Sequence, residues 1–285
     1  MIVRARWNCG VIRVHEIESL DLPVLAPYRT MRLQADHYRE RLFVAEGDKV
    51  VRRLLESDLT IVSVLMPREF LDGLLPGLQA REEAIDVFVV DRKMLEVLTG
   101  FELYQGLLAC ARMPSPVELD VVIAKSARPR FLVAADAIAN AENMGAMVRN
   151  AAAFGAQGLL VGETCVHPYM RRAVRTSMGA LFRLPIVEVV SLADALRELK
   201  RRGFRCVAAH PHTDRRHLPE ASLGGDCCVV LGSEGDGLTP EVLDACDEWV
   251  SVPMQTGVDS LNVGAAGAVF FYEVWRQRSG RVVRS

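Results

Sequence analysis

Residues 227–240 read Cys-Cys-Val-Val-Leu-Gly-Ser-Glu-Gly-Asp-Gly-Leu-Thr-Pro. Five apolar residues in succession make a buried strand of ordinary length, and the glycines at 232, 235 and 237 open a turn directly behind it. Glycine tolerates positive φ and lets a ligand approach backbone N–H groups. Glu234 sits inside this turn. Taken alone, the stretch is either a tight strand–helix connection with an exposed acid or a ligand-binding loop. It has neither GxGxxG spacing nor a P-loop lysine, so neither nucleotide fingerprint applies. It is not GxSxG either, which removes the nucleophile-elbow reading. Cys227 and Cys228, adjacent in a strand, point to opposite faces and are core residues, not joint metal ligands.

Outward from this strand the chain alternates. Phe131–Ala135, Gly158–Val161, Phe204–Ala209 and Trp249–Val252 are strand-length apolar runs. Met144–Phe154 has apolar residues at helical spacing, Tyr169–Met178 reads as a basic helix and Leu192–Arg202 as an amphipathic helix with Gly203 past its end. Pro240–Cys246 is a short helix and Ser260–Arg276 a long final one. Such alternation implies an α/β domain with a mostly parallel sheet covered on both faces. Upstream, a helix at Glu46–Glu56 and strands at Leu59–Met66, Val87–Val90 and Leu107–Arg112 suggest a smaller α/β domain. Residues 113–130, with three prolines, read as a linker. The expected division is therefore 1–112, a linker at 113–130, and 131–285.

The 285 residues carry 34 Lys+Arg and 36 Asp+Glu, so a globally basic chain is excluded. The charge is uneven: residues 171–216 hold eleven basic residues and four acids, whereas 217–285 hold four basic residues and ten acids. The basic stretch is either a set of solvated helix faces or a phosphate-binding surface. No apolar run approaches the ~18 residues of a membrane span, and the first residues lack the pattern of a signal peptide. Seven scattered cysteines, none in a CxxC pair, read as the reduced thiols of a cytoplasmic protein. His210, His212 and His217 lie in a loop with arginines, where contact with solvent or phosphate is the reading and a metal site is not expected.

Two further segments carry chemistry. In Asn143-Met-Gly-Ala-Met-Val-Arg-Asn-Ala-Ala-Ala-Phe-Gly155, Arg149 lies off the apolar stripe of its helix, flanked three and four residues away by Gly145, Ala146, Ala152 and Ala153. Its guanidinium is an ordinary surface group or stands over a low surface that a ligand can approach. In Val252-Pro-Met-Gln-Thr-Gly-Val-Asp-Ser-Leu-Asn-Val-Gly-Ala-Ala-Gly-Ala268, Ser260 has the chemistry of an N-cap. Asn262 is a second cap or a ligand contact, and the five small residues at 264–268 suit close packing against backbone or ligand.

Together these segments resemble the SpoU/TrmH branch of the SPOUT methyltransferases. Residues 143–155 fit N-x-G-x-x-x-R-x-A-x-x-F-G, residues 231–237 fit L-G-x-E-x-x-G, and residues 253–264 fit P-M-x(5)-S-L-N-V-S except that Gly264 replaces the final serine. Arg175-Thr-Ser-Met-Gly-Ala-Leu-Phe-Arg-Leu-Pro185 is similar to the family's connection between the first two motifs. Glu142 stands where proline is usual. Residues 35–112, with Val44-Ala-Glu-Gly47 and Tyr104-Gln-Gly-Leu-Leu-Ala109, are similar to the ribosomal-protein-like substrate-binding domain often fused in front; residues 1–30 match nothing.

The resemblance implies an α/β sheet whose C-terminal part threads a deep trefoil knot, against the general rule, and a homodimer with each site completed across the interface. It makes Ser260–Arg276 an interface helix, whose Phe270, Phe271, Tyr272 and Trp275 are an aromatic surface or plain core. It implies transfer of a methyl group from S-adenosylmethionine to a ribose 2′-hydroxyl of RNA, ribosomal RNA above transfer RNA. Leu231, Gly232, Glu234, Val252, Met254, Leu261 and Asn262 would hold the donor. Asn143, Arg149, Glu234, Ser260 and Asn262 would form the catalytic set, and Arg171, Arg172 and Arg175 would contact RNA. The resemblance casts Arg149 as the base; a guanidinium is nearly always charged, which favours a clamp on phosphate and developing alkoxide instead. A Rossmann enzyme is disfavoured because the turn after Phe131–Asp136, AIANAENMG, has no GxG. A non-catalytic RNA-binding protein of the same fold is the other alternative, and the joint presence of Arg149, Glu234, Ser260 and Asn262 argues against it.

Overall fold

The computed structural model describes residues 2–4, 12–31, 34–99, 106–213 and 215–279. Tyr104, Gln105, Asp214, Arg281, Arg284 and part of the unmatched 1–30 stretch lie outside them. From the N-terminus the elements are β1 (Ile2–Arg4), β2 (Ile12–Glu16), α1 (Ala26–Arg29), α2 (Gln34–Arg39), β3 (Leu42–Glu46), α3 (Asp48–Leu55), β4 (Ile61–Met66), α4 (Leu71–Gln79), β5 (Ile85–Val89), α5 (Arg92–Thr99) and β6 (Leu108–Arg112). Then come α6 (Leu119–Lys125), β7 (Phe131–Ala135), α7 (Ala141–Ala153), β8 (Gly158–Val161), α8 (Arg171–Thr176), β9 (Ile186–Glu188) and α9 (Leu192–Arg201). The chain ends with β10 (Arg205–Ala209), β11 (Cys227–Leu231), α10 (Pro240–Ala245), β12 (Glu248–Val250) and α11 (Val263–Ser279).

Two compact units form. One comprises Met1–Pro114 with Tyr169–Arg183, the other Ser115–Pro168 with Leu184–Ser285. The first holds a mixed sheet in the order β1-β2-β5-β4-β6-β3, whose edge strand β3 packs against α8. Glu46, at the end of β3, is 3% exposed, and a carboxylate so buried needs charged partners. It finds them in α8: Arg171 Nη1 donates to Oε2 at 2.7 Å and Arg175 Nη1 to Oε1 at 3.1 Å. Arg53 donates to the Met178 carbonyl, and Phe43 packs on Tyr169 and Phe182. This attachment rests on long-range pairs that no local pattern announces.

The second unit holds six parallel strands in the order β12-β10-β11-β7-β8-β9. Its central strands β7 and β11 are buried on both faces, which is why they read as continuous apolar runs. Cys228, Val230, Leu132 and Ala134 face the cluster under α9 and α10, while Phe131 meets Phe271 of α11 on the other side. Within the stretch read as a linker, α6 is a helix: Val122 and Ile123 are buried in that same cluster. Its seven residues carry Leu119 and the consecutive Val121, Val122 and Ile123, a run between prolines that shows no helical spacing. β7 leads through α7 to β8 on one side, and β11 leads through α10 to β12 on the other. The carboxyl ends of β7 and β11 therefore flank a topological switch point, where α/β sheets place their ligand crevice.

Candidate active site

The loops at that switch point are built tightly. Behind β11, Ser233 N–H donates to Gly237 O at 2.9 Å and Gly237 has φ +72°. A Cβ on Gly232 would lie 2.3 Å from the Gly237 carbonyl oxygen, so the turn requires glycine there. Behind β7, the buried Asp136 accepts from Thr239 N–H through Oδ2 at 2.7 Å and ties the start of α10 to the neighbouring strand. Asn140 then caps α7, its Oδ1 accepting from Glu142 N–H (2.7 Å) and Asn143 N–H (3.3 Å).

α11 begins at Val263, not Ser260, and its cap is Asn262: Oδ1 accepts from Gly264 N–H at 2.9 Å and Ala265 N–H at 3.3 Å. Asn is as good an N-cap as Ser, and the residue nearer the apolar run prevailed. With Oδ1 committed to the cap, Nδ2 faces away and donates to Glu234 Oε1 at 2.5 Å and Asn143 Oδ1 at 3.0 Å. One side chain thus joins the glycine turn, α7 and α11. Two further contacts fix the helices. Asn150 Nδ2 donates to Gly264 O at 2.9 Å, and a Cβ on Gly264 would meet Ala146 Cβ at 3.0 Å. A larger residue at 264 requires Ala146 or Asn262 to give by a few tenths of an ångström.

A cavity of about 300 Å³ opens beside this junction. Leu231, Gly232, Glu234, Val252, Met254, Ser260 and Leu261 line it. Asn143, Arg149 and Asn262 are not among its lining residues; Asn143 and Asn262 stand at the junction with Glu234. Arg149 is exposed, with no acid partner among the described residues. The walls also include His210, Pro211, His212, Leu238, Leu243, Ala266 and Phe270, none of them singled out as donor residues by the sequence. Asp136 and Asn150 were missed as well; an acid directly after an apolar strand was the only signal for Asp136.

Thiols at the opposite, amino ends of β11 and β12 offer no nucleophile. Burial pushes Cys227 up to about 11 and Cys246 up to about 12, so both stay protonated near neutrality. No cluster of His, Cys, Asp and Glu suited to a metal ion occurs among the described residues. Nor is any helix among them long and apolar enough to cross a membrane.

Residues 130–272 match the model of the SpoU rRNA Methylase family. The chain belongs to that family. It is 36% identical over 246 residues to an uncharacterized tRNA/rRNA methyltransferase of Mycobacterium bovis, across 84% of this chain and 82% of the relative. A Mycobacterium leprae protein described in the same words is 32% identical over 239 residues, across 83% and 71% of the two chains. Among solved structures, an RNA 2′-O ribose methyltransferase superposes with a TM-score of 0.77 at 27% identity, across 93% of this chain and 99% of its own. An AdoMet-bound rRNA methyltransferase from Sinorhizobium meliloti shares the fold with a TM-score of 0.79 at 23% identity, across 95% and 99%. The SpoU match spans the parallel-sheet unit up to α11 and so includes the glycine turn, the Asn262 junction and the cavity.

The basic stretch of this SpoU chain is largely neutralised. Arg171 and Arg175 share Glu46, Arg197 pairs with Asp194, Arg201 and Arg202 with Glu198, Lys200 with Asp247, and Arg205 and Arg216 with Glu248. Arg172 and Arg183 are exposed without an acid partner among the described residues. Four of the neutralising acids, Glu46, Asp247, Glu248 and Asp120, which also pairs with Arg202, lie outside residues 171–216, which is why local counting overstated the charge. The aromatic set of α11 also divides: Phe270 and Phe271 are core, while Tyr272 and Trp275 are 48% and 47% exposed.

Proposed function

We propose that this chain transfers the methyl group of S-adenosylmethionine to the 2′-hydroxyl of a ribose in RNA, ribosomal RNA in particular. The observation that carries the reading is the junction of Asn143, Glu234 and Asn262 at the rim of the cavity, at the carboxyl ends of β7 and β11. The 27%-identical neighbour named as an RNA 2′-O ribose methyltransferase supports the chemistry. The AdoMet-bound neighbour and the tRNA/rRNA methyltransferase relatives support donor and substrate class.

The residues present fit such a donor. The cavity, about 300 Å³, is at the small end of the ~300–1,000 Å³ usual for ligand sites. Leu231, Leu238, Val252, Leu261 and Phe270 give it apolar walls, and the 232–237 turn gives it a backbone rim that a Cβ at Gly232 would force apart. The bound donor supplies an activated methyl on a sulfonium. The chain must present a weak nucleophile in line with it and hold the charge that develops as the hydroxyl loses its proton. Asn262 fixes the Glu234 carboxylate through Oε1 and leaves Oε2 to accept from the ribose. Arg149, on an exposed face walled by small residues, grips the adjacent phosphate and stabilises the alkoxide.

In this reading residues 1–112 recognise the RNA and 131–285 perform the transfer. Arg172 contacts phosphate with its full charge, whereas Arg171 and Arg175 have theirs partly spent on Glu46. The protein works as a homodimer, whose interface takes the exposed Leu261, Val269, Tyr272 and Trp275 of the α11 region, an apolar set that suits a second copy. The C-terminal part threads a trefoil knot; support comes from Ser251, which donates to Arg216 O at 3.0 Å and accepts from Leu218 N–H at 2.8 Å, holding the chain beyond β12 against the loop behind β10. Calorimetry with S-adenosylmethionine tests the donor site: one site per chain is expected, and absence of binding at millimolar donor contradicts the assignment.

A further inference from the structure

The loop behind β10 that carries His210, Arg215 and His217 plays no part in the chemistry above, yet its described residues are held by several hydrogen bonds. His210 N–H donates to Val250 O at 2.9 Å, and Ser251 N–H donates to Arg216 O at 3.0 Å. Nδ1 of His217 lies 3.0 Å from Ser251 Oγ. Trp249 of β12 is pinned by its own hydrogen bond, Nε1–H to Leu243 O at 3.1 Å. Two flat groups lie on this indole. The His210 ring stacks on it at 5.4 Å and 8°, and the Arg215 guanidinium carbon sits 4.0 Å from the ring centre.

Arg215 differs from the other cations around it. Arg216 and Arg205 are spent on Glu248. Arg215 is exposed and has no acid partner among the described residues; what holds it is the indole. His210, Pro211 and His212 of the same loop line the donor cavity, and the stack adjoins its wall through His210, although Trp249 and Arg215 do not line it themselves.

We propose that Arg215, laid on Trp249, is a stacking platform for an unpaired base of the RNA substrate next to the ribose being methylated. The proposal rests on the RNA methyltransferase reading and adds the feature of RNA it recognises: a single-stranded nucleotide with its base splayed out. Unstacked bases are taken up on aromatic rings and on Arg guanidinium planes. A guanidinium already fixed on an indole loses little further freedom when a base covers its outer face. A phosphate contact alone needs no aromatic support, and Arg172 and Arg183 have none among the described contacts. The competing role is structural: β12 is an edge strand, and the stack could simply cover it.

The test uses the full chain and a short single-stranded oligoribonucleotide carrying 2-aminopurine, whose fluorescence is quenched by stacking. Donor calorimetry is run on the same preparations. Arg215→Ala, at an exposed position, should raise the oligonucleotide Kd by about tenfold or more, the worth of one stacked base, and relieve the quenching. Arg215→Lys should keep the salt dependence of binding, since the charge remains, but not the quenching. Donor affinity should not change in either variant. Arg215→Ala indistinguishable from wild type would show a mere cover for β12 and overturn the proposal. Lysine restoring both affinity and quenching would make this a phosphate contact and overturn it too. A wild-type chain that binds donor but not the oligonucleotide removes the platform and leaves the donor site standing. A chain that binds and stacks the oligonucleotide without binding donor supports the platform and removes the methyl-transfer reading.

Discussion

Asn262 performs two separable tasks, and substitution can pull them apart. Its Oδ1 caps α11 through Gly264 N–H and Ala265 N–H, and its Nδ2 orients Glu234 at 2.5 Å and Asn143 at 3.0 Å. Asn262→Ala removes both. Loss of the cap is worth about 1 kcal/mol, which for a unit of this size lowers Tm by about 2–4 °C. Asn262→Asp keeps an acceptor at the helix N-terminus and should leave stability near wild type. It places a second carboxylate where Nδ2 met Glu234, so the two oxygens repel and the junction opens. Methyl transfer should then fall by about 10²–10³, the scale of losing an oriented polar group at a reacting centre. Acid should restore part of it, because two carboxylates in one site raise the pKa of one of them. Thermal melts and incorporation of labelled methyl into RNA, measured on both variants, give the answer. An Asp variant with full activity would refute the orienting role, and an Ala variant with an unchanged Tm would refute the cap.

Arg149→Ala should keep the melt and donor affinity, since the side chain is exposed, while methyl transfer drops by about 10²–10³; Arg149→Lys should recover part, and normal turnover in the Ala variant would remove the clamp. Gly232→Ala should abolish donor binding by calorimetry, because its Cβ would sit 2.3 Å from Gly237 O, whereas Gly225→Ala, with open space at its Cβ, should not. Glu46→Ala leaves Arg171, only 12% exposed, without its carboxylate and should cost about 3–5 kcal/mol in denaturant unfolding; replacing Arg171 by Leu in the same chain should recover part of the loss. Arg172→Ala should reduce the salt slope of RNA binding by about one, and Arg175→Ala by less, because Glu46 already offsets its charge.

The parallel sheet was legible because its central strands are buried on both faces. Phe131–Ala135, Gly158–Val161 and Cys227–Leu231 are apolar runs closed by polar or glycine residues, and the structure sets their ends at the same residues. Two short elements were not read: β9 has only three residues, and the apolar run of α6 lies between prolines without helical spacing. The start of α11 moved because two good caps stand two residues apart and local sequence does not choose between them. Long-range pairing was hidden altogether. Nothing in residues 169–183 says that Arg171 and Arg175 belong to a buried acid in β3, and nothing in residues 197–205 says that Asp247 and Glu248 wait across the sheet. At the site, motif spacing drew attention to Asn143, Glu234 and Asn262 separately. Their mutual hydrogen bonds, and the walls contributed by His210, His212 and Phe270, follow only from where the turns go.

The central claim is that a methyl group reaches a ribose hydroxyl of RNA. It is tested most directly by incubating the chain with radiolabelled S-adenosylmethionine and ribosomal RNA, then digesting the RNA with alkali. A 2′-O-methyl group blocks alkaline cleavage at its own linkage, so the account predicts label in alkali-resistant dinucleotides that release a 2′-O-methylnucleoside. Label confined to mononucleotides carrying a methylated base would contradict it.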